Sequence, residues 1–234
     1  MERAFLYGDL IFETLLVQHG TIPHVARHYR RLAHSAHLLK LDLGNLNEEK
    51  FTHEIHTAVT EFSIQNPNIS TLRARFVLYR DSHGFYLPNS NISKYHISIF
   101  RFEPKTPMEP LKIGLYKEQC KAPGPLSNLK TGNALVYVMA AIWAKENHLD
   151  DALILNTNGE IIEATASNIF WQKNGAWFSP PLAAGCVAGI GREIFMEQNK
   201  VIEHPCFKQD LQHADACILT NALNPKRTFK IQTD

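Results

Sequence analysis

Pro104, Pro107 and Pro110 fall within seven residues, directly after the alternating segment Tyr95-His96-Ile97-Ser98-Ile99-Phe100. Proline has no backbone N–H to give to a helix or a sheet ladder, and it drives the residue before it out of the helical region. A stretch with three of them cannot lie inside a regular element. It divides the chain into a small N-terminal α/β domain over 1–102, a linker over 103–110 and a larger C-terminal domain over 111–234. At 234 residues the chain is long enough for each part to bury a core of its own.

In the first part, Leu10 to Val17 is apolar and β-branched enough for a largely buried strand, and His19-Gly20 supplies the turn after it. From His24 to Lys40 the period changes. Val25, Leu32, Ala36 and Leu39 share one helical face, while Arg27, Arg31 and His34 form a stripe beside it, which is either an anion site or a solvated basic face. Asn47 caps a second helix that buries Phe51, Ile55, Ala58, Val59 and Phe62. Leu72 to Tyr79 and Tyr95 to Phe100 read as half-buried strands, joined by a polar loop long enough to carry substrate contacts.

In the second part, Ile113 to Tyr116 reads as a strand, Lys121 to Lys130 as irregular, and Gly132 to His148 as a helix apolar enough to pack inside. Two Asn-Gly pairs, at 158–159 and 174–175, sit between apolar runs and predict two hairpins. Gly189-Ile190-Gly191 opens a further helix, and Val201 to Glu203 and Ala216 to Leu219 are strands. The result is an α+β chain of two domains, each of mixed sheet and helices.

Composition narrows the function. The net charge of +1 offers no general attraction for nucleic acid or an anionic membrane, and one short basic helix without an aromatic platform is not a nucleic-acid surface. No apolar run reaches the length of a membrane span, and the first residues lack a signal pattern, so a cytoplasmic protein is expected. Cys120, Cys186, Cys206 and Cys217 are far apart, without the paired spacing of a zinc site, and are expected to be reduced structural thiols.

Two residues carry the chemistry. Lys130 lies in the small polar segment Ser127-Asn128-Leu129-Lys130-Thr131-Gly132-Asn133, just before the apolar helix. Glu163 follows Ile161-Ile162, a costly place for a charge without a partner. An amine, a carboxylate, a basic helix and a glycine-flanked helix start together suit a phosphorylated aromatic cofactor: the lysine forms an imine, the acid balances a ring nitrogen, and arginine with helix N–H groups holds the phosphate.

Here the chain resembles the class IV aminotransferase family, the pyridoxal-phosphate (PLP) enzymes of fold type IV. The matching segments are Tyr7-Gly8-Asp9 with Phe12-Glu13, His28-Tyr29-Arg30-Arg31-Leu32, Asn128-Leu129-Lys130, Glu163 to Phe170 and Gly189-Ile190-Gly191-Arg192. Leu10 stands where the family usually has a second glycine. The resemblance implies the D-amino-acid aminotransferase-like fold, PLP as cofactor and a homodimer acting on a small amino substrate. By the same resemblance Lys130 is the Schiff-base lysine and proton carrier, and Glu163 faces the pyridine nitrogen. Arg31, Ile190, Gly191 and Thr220 hold the phosphate.

Among the branches of the family, Asn133, three residues after Lys130, is similar to the lyase and D-amino-acid enzymes. Phe12 occupies a substrate position at which the D-amino-acid enzymes carry a tyrosine. Cys186 to Ile190 and Asn221-Ala222-Leu223 look like the cofactor loops of aminodeoxychorismate lyase, which forms 4-aminobenzoate and pyruvate. Arg80 and His83 are the expected substrate contacts of the loop 80–86, which lacks the second arginine a dicarboxylate would call for. The lyase is favoured narrowly over a transaminase of branched-chain or D-amino acids, and both over a non-catalytic PLP-binding relative.

Overall fold

The structure is a computed structural model and describes residues 2–104, 109–224 and 226–232. Part of the linker expected over 103–110 therefore lies outside the described residues. The chain forms two compact units. One comprises the described residues up to Pro104 together with Lys130–Asn133, and the other the stretch from 109 to 129 and the described residues from 134 onward.

The first unit contains α1 (Glu2–Tyr7), β1 (Leu10–Gln18), α2 (Val25–Leu38), α3 (Glu48–Gln65), β2 (Thr71–Arg80) and β3 (Ser93–Arg101). The strands make an antiparallel sheet in the order β1-β2-β3. Side chains alternate across a strand, so Ile11, Leu15 and Val17 of β1 and Leu72, Ala74, Phe76 and Leu78 of β2 are buried against Leu32, Phe51 and Ile55 of the helices. Phe51 stands 4.7 Å from Phe76, which stacks on Tyr95 at 5.0 Å. The turn after β1 takes His19 and Gly20 to φ of 49° and 75°. Asn47 caps α3, its side-chain oxygen accepting the Lys50 N–H at 2.8 Å. The alternation that buries one face leaves Leu10, Phe12, Arg73 and Arg75 on the other.

The second unit contains β4 (Leu111–Lys121), α4 (Leu135–Glu146), β5 (Asp151–Asn156), β6 (Ile161–Ala164), β7 (Asn168–Lys173), β8 (Ala176–Ser179), a 3₁₀ turn (Leu182–Ala184), α5 (Ile190–Gln198), β9 (Val201–Glu203), α6 (Lys208–Gln212), β10 (Ala216–Thr220) and β11 (Arg227–Ile231). Eight strands form one mixed sheet in the order β6-β5-β4-β11-β10-β7-β8-β9. Both Asn-Gly pairs turn hairpins, β5 to β6 and β7 to β8. In the second hairpin Asn174 and Gly175 both have positive φ, 52° and 77°, which matches the right-handed twist of the flanking strands.

Three expectations are corrected. The strand expected over 113–116 runs on to Lys121, so the irregular segment begins there. Glu163 lies within β6, not after the apolar strand. The largest difference is α4, whose Leu135, Val138, Met139 and Ile142 are exposed rather than packed inside. Its buried side is Ala140 and Ala144, with Val136, Tyr137 and Trp143 beside them. Trp143 takes this place because Gly114 of β4 leaves room: a Cβ there would lie 2.7 Å from the indole. Among the described residues no helix is long and apolar enough to cross a membrane.

Candidate active site

Lys130 belongs to the first unit because its segment pairs with β1. The Phe12 N–H donates to the Lys130 carbonyl at 3.0 Å and the Gly132 N–H to the Leu10 carbonyl at 3.1 Å, with Ile11 and Thr131 in an antiparallel bridge. Two glycines permit this approach. A Cβ on Gly132 would come within 2.8 Å of Leu10 Cγ, and one on Gly8 within 2.7 Å of Asn133 Oδ1. Leu10, the departure from the family's glycine, thus packs where Gly132 has no side chain. The clamp sets the Lys130 Nζ over the Phe12 ring, 4.5 Å from its centre.

On the helix-facing side of β1, Glu13 is only 2% exposed. Arg31 grips its carboxylate with two prongs, Nε to Oε1 at 2.8 Å and Nη2 to Oε2 at 2.5 Å, and His28 Nδ1 joins Oε2 at 2.6 Å. Burial alone would raise the Glu13 pKa, but the Arg31 charge and the bonds from His28 and Arg31 outweigh it and bring it to about 2. Arg31 is therefore fixed by a buried carboxylate rather than lying on a solvated face.

Arg80 has a different place from the one its loop position suggests. It is buried, and its guanidinium bonds Asp9 at 2.9 Å, the Leu39 and Lys40 carbonyls at 2.7 and 3.2 Å and Asn91 at 2.6 Å. Asp9 also accepts from Arg3 at 2.9 Å. These bonds tie strand to helix end and leave Arg80 a structural role. His83 is exposed in the loop that follows.

In the second unit Glu163 is buried on β6 and receives three donors. Tyr137 OH and Lys121 Nζ reach Oε1 at 2.8 and 2.9 Å, and the Val187 N–H reaches Oε2 at 2.9 Å. Asn128, two residues before Lys130, secures the neighbouring loop by donating to the Leu182 and Cys186 carbonyls at 2.8 and 2.6 Å and accepting the Ala188 N–H at 3.0 Å.

Ile190 and Gly191 open α5, with Gly189 as N-cap and no side-chain cap. A Cβ on Gly191 would lie 2.8 to 2.9 Å from the backbone of Asn221, so only glycine lets the helix start approach the end of β10 this closely. There Thr220 is fully buried, and its hydroxyl has no hydrogen-bond partner among the described residues. Such a hydroxyl is costly unless a ligand completes it. With the N–H groups of a helix start it suits an anionic oxygen, as on a phosphate. Beside it, Ser167 Oγ accepts from Asn221 at 3.0 Å and Arg227 at 2.9 Å.

The sequence profile of the amino-transferase class IV family matches residues 10–229, nearly the whole chain. The chain belongs to this family. Class IV aminotransferases are PLP enzymes, and the orphaned Thr220 hydroxyl, the Gly191 cradle and the donor-lined Glu163 fit that cofactor. A Methanocaldococcus jannaschii protein provisionally named a branched-chain-amino-acid aminotransferase is 28% identical, the match covering 94% of this chain and 77% of that one. The D-alanine aminotransferase of Staphylococcus haemolyticus is 26% identical over 94% of this chain and 78% of its own. In fold, a Legionella pneumophila protein provisionally named 4-amino-4-deoxychorismate lyase superposes with a TM-score of 0.88 at 24% identity, over 99% of this chain and 85% of that one.

Four residues of this class IV aminotransferase were missed from the sequence. Lys121 and Tyr137, on Glu163, gave no signal because their segments are distant from it. Arg73 and Arg75 did give one: two residues apart on a half-buried strand, they share a face. Arg75 lies 5.7 Å from the centre of the same Phe12 ring that Lys130 covers, and Arg73 4.8 Å from that of Phe100. Burial, then the neighbouring Arg73 charge, lowers the pKa of Arg75. The Nε of each is buried without a partner among the described residues.

Glu13 supplies a test by pH. Its pKa falls from 4.5 to about 2 on folding, a shift that corresponds to about 3 kcal/mol of stability. Because the folded value is the lower one, this stability is complete above the unfolded value and is lost as pH falls toward the folded one. Glu13→Gln is expected to destabilise the protein by about 3 kcal/mol at neutral pH in urea unfolding. The gap to wild type should narrow between about pH 4.5 and about 2; a gap independent of pH would contradict the assignment.

Proposed function

We propose that this class IV aminotransferase acts on the amino group of a substrate bearing two carboxylates, and that lyase chemistry, releasing 4-aminobenzoate and pyruvate from aminodeoxychorismate, describes it best. The observation that carries the reading is the pair Arg73 and Arg75, which have buried unpartnered nitrogens, with Arg75 and Lys130 sharing the Phe12 ring. Two adjacent guanidiniums suit two carboxylates. They supply the basic charge that the loop 80–86 lacks and that Arg80, bonded to Asp9, does not offer.

PLP, when bound, supplies an electron sink for the carbanion formed at the substrate carbon. Lys130 Nζ would hold the cofactor aldehyde, and as a free amine it would move the proton at the substrate carbon. Glu163 would accept the ring N–H. The N–H groups of Ile190 and Gly191 and the Thr220 hydroxyl would hold the phosphate, and Arg31, steadied by Glu13, would be a further phosphate donor. Phe12 gives the Lys130 amine an apolar floor without a hydroxyl. His83, on its exposed loop, is a further substrate contact.

A transaminase of branched-chain or D-amino acids is the second reading, favoured by the names of two relatives similar in sequence. Aminodeoxychorismate supplied without any keto acid separates the two. Sustained pyruvate release is expected, and it should vanish in Lys130→Ala; a single turnover that only a keto acid restarts would establish the transaminase. In the same assay Arg75→Met should raise KM about tenfold or more, with a smaller change in kcat, as expected for loss of a charged hydrogen bond. An unchanged KM would remove Arg75 from the substrate site.

The exposed apolar stripe Leu135, Val138, Met139 and Ile142 on α4 supports a homodimer. Sedimentation should give twice the 26.6 kDa chain mass, and Val138→Glu with Ile142→Glu should reduce it toward one. A monomeric wild type would rule the dimer out.

A further inference from the structure

The donors around Glu163 are not distributed evenly. Lys121, the last residue of β4, and Tyr137 on α4 both address Oε1, while among the described residues Oε2 receives only the Val187 N–H. The first two are also bonded to each other: Lys121 Nζ donates to the Tyr137 oxygen at 2.7 Å. The hydroxyl therefore spends its single hydrogen on Oε1. Burial, then the Glu163 charge, raises the pKa of Tyr137 well above the usual range, so it remains a neutral donor.

A carboxylate has about four lone-pair sites on its two oxygens. Two donors fill those of Oε1 and one fills half of Oε2, leaving a single acceptor position, on Oε2. We propose that Lys121 and Tyr137 are positioning residues that close Oε1 and hold the Glu163 carboxylate so that Oε2 alone is offered to the cofactor's ring N–H. This rests on the role of Glu163 proposed above. The terminal torsion of a glutamate is broad, so the Val187 N–H by itself would not fix the plane of the carboxylate. The orientation comes from two side chains that are bonded to Oε1 and to each other.

The nitrogen-15 chemical shift of ring-labelled PLP bound to the full chain reads the state of that nitrogen directly, and activity need not enter. Wild type should show a protonated ring nitrogen, and Glu163→Gln should move the shift toward the unprotonated value. Lys121→Met and Tyr137→Phe should each move it part of the way in the same direction, and Lys121→Arg, which keeps a charged donor, should restore it. Tyr137→Phe removes one oxygen and keeps the packed ring, so it carries the test alone if Lys121→Met loses its native circular dichroism. If Glu163→Gln moves the shift while Tyr137→Phe and Lys121→Met do not, the positioning roles are overturned and the role of Glu163 stands. If Glu163→Gln leaves it unmoved, both are overturned.

Discussion

Two backbone hydrogen bonds, Phe12 N–H to the Lys130 carbonyl and Gly132 N–H to the Leu10 carbonyl, tie a four-residue segment to the edge of β1. Lys130 owes its position to them. A lysine side chain has many rotamers and little to choose among them, and a pinned backbone removes most of that freedom at its root. The cost falls on sterics, met at Gly8 and Gly132, where any Cβ would strike Asn133 or Leu10. Leu10 fills the space that Gly132 leaves, so a departure from the family pattern is absorbed by close packing and the pairing is kept.

Charge follows a second constraint. A buried charge needs partners, and Glu13 and Glu163 each have more than one, as does the half-buried Asp9. Glu13 fixes Arg31, Asp9 joins Arg3 to Arg80, and Lys121 with Tyr137 fixes Glu163. Polar atoms left without a partner among the described residues include the Thr220 hydroxyl and the Nε of Arg73 and Arg75. These are groups that a phosphate or a carboxylate would complete.

Much of the fold was legible because it rests on local physics. The alternation in β1 and β2, the Asn47 cap, both Asn-Gly hairpins and the glycine before α5 each depend on residues a few positions apart. The errors came where local pattern underdetermines packing. The apolar residues of α4 recur at helical spacing on more than one stripe, and which stripe meets the sheet depends on the gap at Gly114. Likewise β11, rich in charge, gave no strand signal, yet it pairs with β10 and β4.

The sequence by itself determined the family, many of the elements and the residue types a phosphorylated cofactor needs, since motifs and periodicity are properties of neighbouring positions. Only the tertiary structure decided what each charge is for. Arg31 meets Glu13 across 18 positions, Lys121 meets Glu163 across 42 and Arg80 meets Asp9 across 71. Chain folding selects such pairs, because a buried ion takes the nearest compensating group in space, and sequence distance does not enter its energy. For the same reason Arg80, the expected substrate contact, became a brace, and Arg73 and Arg75, unremarked on their strand, became the open cations beside Phe12 and Phe100.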